Sequence, residues 1–586
     1  MPETRLGLPR LATIVGLSSL TLGIGLGGSG RLTYHEAFVA QAARELIARG
    51  AVLVLTIDGQ PWLEKPPLAF WLVALAGKIA GGVDETVART PSAIAATLLA
   101  LGVASFTARR FGRDVGWLAG LVQASTYWFV VRGRLAEADI VLACLITWTF
   151  VAFDRLRIHS WRTEDSGLRT EDSGGKIPAP HLGLSASVRV LASPTARRVG
   201  LALPFLGGGN GRASPTLRER GIEPASATST TLRVDDPALT AFRPPAFWGW
   251  AFFAGLGATA LVKGVGFGAV LVGSAVATTL FWDRDRSTIK ALWNAKAWAL
   301  ASLLALAWPV LVAIRLPSAV SLWTLHVTDR LASHPEHFIG GPWWLYARAV
   351  LEQALPWTPL ALVGAWPSLR RAIRERGGVD RLLWAWAVVP VLVLSAATVK
   401  NAHYAIHALP PLATWAALGL VLVEARLVRR RGWSPRRVRL GVLALFVGLG
   451  LACGLGHLVL GPRFDRRGGE WAWCEAIGRR LDPKLPLVVL YEDWDRKPYP
   501  TPFGPVPHDW AVRLFYLERA ASWRQGVDDL VARPPSPTPA PYALLARERD
   551  VPAVRELGRV ETLMRGPSDR FDREFTLFRI TPAARR

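Results

Sequence analysis

The sequence predicts an α-helical polytopic membrane protein, with about 11–13 transmembrane helices and a small extracytoplasmic α/β domain at its C-terminus. Three observations lead there. The 586 residues are 51% hydrophobic, include 26 Trp, and are arranged in repeated apolar runs. The mean hydropathy is +0.25, too apolar for an ordinary soluble enzyme. The formal net charge of +24 sits mostly in short basic clusters between the apolar runs, the positive-inside pattern. On a soluble chain that charge would suggest nucleic acid. Here it points to a lipid bilayer as partner, with no nucleic acid.

Taken in order, the first apolar run (11–28) reads as an uncleaved first span, because GGSGR (Gly27 to Arg31) leads on without a clear cleavage site. Further spans are expected near 90–108, 115–132, 138–155, 246–262, 264–282, 295–314, 347–366, 381–398, 404–424 and 437–459. The run from Pro66 to Ala80 is too short to cross comfortably and reads as an interfacial helix. Residues 159–245 are rich in Ser, Thr, Arg, Gly and Pro, with little periodicity, and read as a disordered cytoplasmic insertion. Residues 462–586 are far more polar. A helix at Trp471 to Leu481 and strands at Leu485 to Asp493, Tyr542 to Glu548 and Phe575 to Thr581 suggest the α/β domain. The organisation is therefore a transmembrane part at 1–158 with the first extracytoplasmic loop, the insertion at 159–245, a second transmembrane part at 246–461, and the soluble domain at 462–586.

This assignment puts the basic clusters (Arg109, Arg110 and Arg113; Arg155 and Arg157; Arg284, Arg286 and Lys290; Arg370 to Arg376; Arg426 to Arg437) on the cytoplasmic side of an inner (plasma) membrane. The polar motifs and the C-terminal domain then share the extracytoplasmic face. Cys144, Cys453 and Cys474 imply no disulfide framework, and neither CxxC nor HExxH occurs.

Ionisable residues at a membrane exit default to a functional hypothesis. His35 and Glu36 follow the first span. Glu64 and Lys65 precede two prolines. Asp139 opens a span. The loop at 321–346 carries His326, Arg330, His334, His337, Trp343 and Trp344. Lys400, His403 and Tyr404 precede another span. Each has a plainer reading: a helix cap for His35, Glu36 and Asp139, a snorkelling Lys65, an interfacial belt for Lys400 and Tyr404. Lys263 lies between two spans near the membrane boundary and reads as structural or lipid-contacting.

The ordered motifs HEAFVAQAAREL (His35 to Leu46), GQPWLEKPPLAFW (Gly59 to Trp71), ARTPSA (Ala88 to Ala93), GRLAEAD (Gly133 to Asp139), VKGV (Val262 to Val265) and TVKNAHYAIHALPP (Thr398 to Pro411) resemble the GT-C superfamily of polyprenyl-phosphate-dependent glycosyltransferases. The nearest likeness is to its aminoarabinose transferase and protein O-mannosyltransferase (family 39/83-like) branch. The resemblance implies an inverting glycosyltransferase that moves a sugar from polyprenyl phosphate to an extracytoplasmic acceptor, which is a lipid A-like lipid, a protein or a glycan. It makes His35, Glu36 and Asp139 catalytic, with His35 where relatives carry Asp and Phe38 where they carry Arg. Neutral His is competent as a base. It assigns the donor phosphate to Lys65, with Arg330, Tyr404 and Lys400. No cofactor is required by this set; a divalent metal ion on Glu64 and His326 stays open. The rival reading is a membrane transporter or flippase of polyprenyl-linked or other lipids, which the lack of an internal repeat disfavours. The departures at His35 and Phe38 also admit a pseudoenzyme scaffold.

Overall fold

The computed structural model describes residues 6–28, 30–168, 245–331, 341–397, 400–464, 468–491, 499–501, 504–506, 510–536, 540–568 and 574–582. The N-terminal part comprises α1 (Leu8–Ser18), continued by a π-helical turn (Ser19–Gly23), α2 (Tyr34–Arg49), the hairpin β1–β2 (Thr56–Ile57, Gln60–Pro61), α3 (Leu68–Ala80), α4 (Glu85–Phe111), α5 (Arg113–Ala124), α6 (Tyr127–Gly133) and α7 (Ala138–Leu168). Then come α8 (Pro245–Ala258), α9 (Ala260–Lys263), α10 (Phe267–Asp283), α11 (Arg286–Leu292), α12 (Ala295–Arg315), α13 (Ser318–Leu331), α14 (Leu345–Gln353), α15 (Thr358–Arg374), α16 (Val379–Ala396), a 3-10 turn (Ala402–Ala408), α17 (Leu409–Arg431) and α18 (Pro435–Phe464).

Every expected span falls on helix, but several are broken. Among the described residues five helices are long and apolar enough to cross a membrane, or six if α6 and α7, bent by 120°, count as one. The expected span 115–132 is two helices. Ser125 and Thr126 stand at the break, with their hydroxyls on the carbonyls of Leu121 and Val122 at 2.8 Å each. The expected span 347–366 divides between α14 and α15, with Pro356 in the gap. The run after Pro66 forms the short apolar α3, ended by Gly81 in the left-handed conformation (φ 84°). Helix α7 continues to Leu168, beyond the expected boundary at 158, and residues 169–244 of the expected insertion lie outside the described residues.

Charge sorts into two layers. Arg110 pairs with Asp154, Arg157 with Asp283 and Asp285, Arg381 with Asp283, and Arg371 with Asp380. Asp139 stands at the other end of α7, about 22 Å of helix from Asp154, in a second layer with Glu36, Arg89 and Lys263. The basic clusters of the sequence therefore gather at one end of the bundle and the motif residues at the other.

The C-terminal domain contains α19 (Gly468–Arg480), β3 (Leu487–Tyr491), the hairpin β4–β5 (Tyr499–Thr501, Gly504–Val506), α20 (Trp510–Leu517), β6 (Ser522–Gln525), α21 (Gly526–Ala532), β7 (Tyr542–Arg547), α22 (Val551–Arg555), β8 (Gly558–Ser568) and β9 (Glu574–Pro582). The main sheet has the order β6-β3-β7-β9-β8. β3 runs parallel to β6 and β7, while β9 is antiparallel to β7 and β8. The three expected strands are β3, β7 and β9. β6 and β8 are flanking strands that sequence reading missed.

The domain docks on the first loop of the membrane part. Trp471, Cys474, Ile477, Trp510 and Phe515 share a buried cluster with Phe38, Leu46, Trp62 and Phe70. Polar ties fix the orientation. Arg31 pairs with Glu475 at 2.6 Å, the Tyr516 hydroxyl accepts from the Leu32 amide at 2.8 Å, and the Arg44 guanidinium lies 3.6 Å from the Phe515 ring centre. The domain therefore belongs to the motif layer.

Opposite labelling should report these two layers. Cys474 is fully buried, so it and the other two cysteines are first replaced by serine. A cysteine at exposed Arg479 should react with an impermeant thiol reagent on cells with a permeabilised outer envelope, and one at exposed Glu375 should stay unlabelled. Reaction at both sites, or only at Glu375, would contradict the arrangement.

Candidate active site

The site is built around Asp139, in the first turn of α7. Its carboxylate is buried, and burying a charge demands partners. Three chain segments supply them. Arg132 on α6 donates through Nη2 to Oδ2 at 2.7 Å. Lys263, the last residue of α9, donates to Oδ1. His403, in the 3-10 turn, brings Nε2 to 3.5 Å from Oδ2. Arg132 also pairs with Glu137. The Lys263 ammonium sits 4.0 Å from the Tyr404 ring centre, a cation–π contact. Tyr404 in turn meets Phe267 edge-on at 5.4 Å. The turn bearing His403 and Tyr404 is held from α14: Gln353 donates to the Ala402 carbonyl and the Tyr346 hydroxyl accepts from the Asn401 amide at 3.1 Å.

Lys65 is half-buried and close enough to Glu137 and His403 for its charge to act on both. Among the described residues no hydrogen bond or ion pair engages its ammonium. Lys65, Arg132 and Lys263 thus face Asp139 and Glu137 with a surplus of positive charge. Such a field suits a phosphate whose negative charge grows during reaction.

Glu36 has a different setting. It is fully buried and accepts from Arg89 at 2.7 and 3.3 Å, from the Thr33 amide at 2.9 Å and from the Ala136 amide at 3.1 Å. With Thr33 it forms a capping box that starts α2. Four donors fill the lone pairs that a general base needs. Glu36 instead ties α2 to α4 and to the loop three residues before Asp139. His35, its neighbour, is half-buried beside the Tyr34 ring at 3.8 Å.

The remaining expected residues divide. Tyr404 joins the site through Lys263. Lys400 donates from Nζ to the Ala397 carbonyl, closing the end of α16. Glu64 is half-buried beside Lys65. The side chains of His326 and Arg330, on α13, lie outside the described residues, so the Glu64–His326 metal pair and the Arg330 phosphate contact do too. Among the described residues no three His, Cys, Asp or Glu side chains cluster as a metal would need.

Sequence reading missed three members. Lys263, expected to be structural or lipid-contacting, pairs with Asp139, because the break at Thr259 and Gly264 sets α9 against α7. Arg132 and Arg89 stood within or beside recognised motifs, and a guanidinium shielded from water calls for an acid.

Residues 64–162 match the family model "Dolichyl-phosphate-mannose-protein mannosyltransferase". An undecaprenyl phosphate-alpha-4-amino-4-deoxy-L-arabinose arabinosyl transferase of Edwardsiella ictaluri is 31% identical over 165 residues, 28% of each chain. An uncharacterized protein of Aquifex aeolicus is 28% identical over 116 residues, 19% of this chain and 23% of its own. The alignments thus span about a quarter of the length of these curated relatives. The crystal structure of ArnT from Cupriavidus metallidurans bound to undecaprenyl phosphate superposes with a TM-score of 0.63, covering 97% of both chains at 16% identity; its apo form gives 0.62. The family match and the curated relatives thus cover part of the chain, and the likeness over its whole length is one of fold.

The Glu36–Arg89 pair should behave as a structural bond. Glu36→Gln or Arg89→Gln alone strands a buried partner and should cost about 3–5 kcal/mol, read as a lowered thermal unfolding midpoint of the detergent-solubilised protein. An unchanged midpoint in both variants would remove this role.

Proposed function

We propose that the protein is an inverting glycosyltransferase, moving a pentose or hexose from a polyprenyl-phosphate donor to an extracytoplasmic acceptor of the lipid A-like lipid, protein or glycan class, in the inner (plasma) membrane. The observation that carries this reading is the Lys65 ammonium, half-buried and unengaged among the described residues, beside the Arg132–Asp139–Lys263 cluster. The likeness to a fold that binds undecaprenyl phosphate in ArnT supports the donor class.

The chemistry follows from charge. The donor is a phosphodiester with one negative charge. An acceptor hydroxyl attacks the anomeric carbon from the face opposite the phosphate, the C–O bond to phosphate breaks, and polyprenyl phosphate leaves with a further negative charge. Lys65 meets that charge directly. Lys263 and Arg132, anchored on Asp139, supply a fixed positive field behind it and need no reorganisation during the reaction. The hydroxyl proton passes to His35, whose neutral ring is the base. Glu36 acts as a positioning residue: through the Ala136 amide it fixes the loop that leads into α7 and Asp139.

The test uses purified protein in nanodiscs, undecaprenyl-phosphate-linked pentoses and hexoses as donors, and envelope lipids and proteins as acceptors, with transfer read as added mass. Lys65→Ala should lower turnover about 100- to 1,000-fold, the usual scale for losing one charge-stabilising group. Lys65→Arg should retain part of it, since a planar fork replaces a point charge. His35→Ala should lose turnover at unchanged donor binding, and His35→Asp should recover much of it. Normal turnover in Lys65→Ala and His35→Ala would overturn the mechanism.

A further inference from the structure

The membrane face opposite Asp139 carries a cation cluster that sugar transfer does not use. Arg109 and Arg110 close the last turn of α4, about 30 Å of helix beyond Arg89. Arg109 faces Arg110, Asp154 and Arg155. Asp154, fully buried, is committed to Arg110, which reaches its oxygens at 3.0 and 3.2 Å from Nε and again from Nη2. Arg109 spends Nη1 on the Ser105 hydroxyl at 2.8 Å. Its Nε and Nη2 are shielded from solvent and have no hydrogen-bond partner among the described residues. Beside it the Arg155 guanidinium lies 4.6 Å from the Trp248 ring centre. The Trp248 indole Nε1 is likewise shielded and without a partner among the described residues.

These groups are all donors. Arg109 is half-buried, and two shielded, unmatched guanidinium nitrogens among like charges are costly unless an anion completes them. Nε and Nη2 form the edge of the guanidinium that offers two parallel N–H bonds, which two oxygens of one phosphate accept. The cluster lies at a helix end on a membrane boundary, where anionic headgroups gather near basic residues and Trp is at home. We propose that Arg109, with Arg155 and the Trp248 N–H beside it, binds a phosphate group at this face, presented by an anionic lipid headgroup or in free form. The site is separate from the transfer site and its test does not read transfer.

The full-length protein, delipidated in detergent, is examined by native mass spectrometry with phosphatidylglycerol, phosphatidylcholine and inorganic phosphate. One phosphatidylglycerol should be held in preference to phosphatidylcholine, and Arg109→Gln should weaken retention about tenfold. If millimolar inorganic phosphate displaces the lipid, the site takes phosphate from either source; if it does not, the site takes the lipid form, and both outcomes uphold it. If Arg109→Gln fails to fold, Arg109→Lys, which keeps the charge and loses the fork, and Trp248→Phe, which keeps a ring and loses the N–H, should each weaken retention. Equal retention of both lipids, or folded variants that bind like the parent, would overturn the proposal. So would selectivity that emerges only after residues 165–238 are deleted, because the chain's own segment would then be the occupant.

Discussion

A carboxylate buried at a membrane boundary has to be neutralised, and Asp139 recruits its neutralising groups from three separate stretches of chain. Arg132, Lys263 and His403 sit at the end of α6, at the end of α9 and in the 3-10 turn before α17. Arg132 and Lys263 lie where helices break, and His403 in the 3-10 turn that opens a span. The breaks in the bundle are where the site is made: a straight helix at any of them would carry its cation away from Asp139. The interruptions build this cluster, since broken helices place charge at depth without leaving backbone groups unpaired in lipid.

The second constraint is the loop that leads into α7. It is held by the Glu36 carboxylate, itself clamped by Arg89, which also donates to the carbonyls of Leu26, Gly30 and Arg31. One buried ion pair thus joins the exit of the first span, the start of α2, the body of α4 and the approach to Asp139. The C-terminal domain closes over the same region. Its aromatic helix face completes the core that α2 begins, and Tyr516 links the Leu32 amide to Glu85. Removing that domain would expose α2, which is too polar to sit in lipid and too short to bury its own apolar face.

Much of this was legible in the sequence, for identifiable reasons. Apolar runs and basic clusters marked the helices and their two ends, because lipid imposes length and charge rules on every span. Lys65, Asp139 and Glu36 were legible because charged residues at membrane exits are costly. The breaks were harder to see. Ser125 and Thr126 are tolerated inside helices, and hydropathy alone does not show that a helix ends there. The partner of Lys263 was not legible because, in one dimension, a lysine between two apolar runs looks like a boundary residue; only the packing of α9 on α7 reveals its acid. The role of Glu36 turned on a partner 53 positions away. β8 went unseen because its exposed residues break the alternation that marks a half-buried strand.

The most direct test of the account is a structure of the protein with undecaprenyl phosphate bound. The account predicts the phosphate within about 3 Å of the Lys65 ammonium, on the side of Asp139 where Lys263 and Arg132 converge, with the prenyl tail leaving toward the lipid. A phosphate bound elsewhere in the bundle, with Lys65 turned to solvent or lipid, would contradict it.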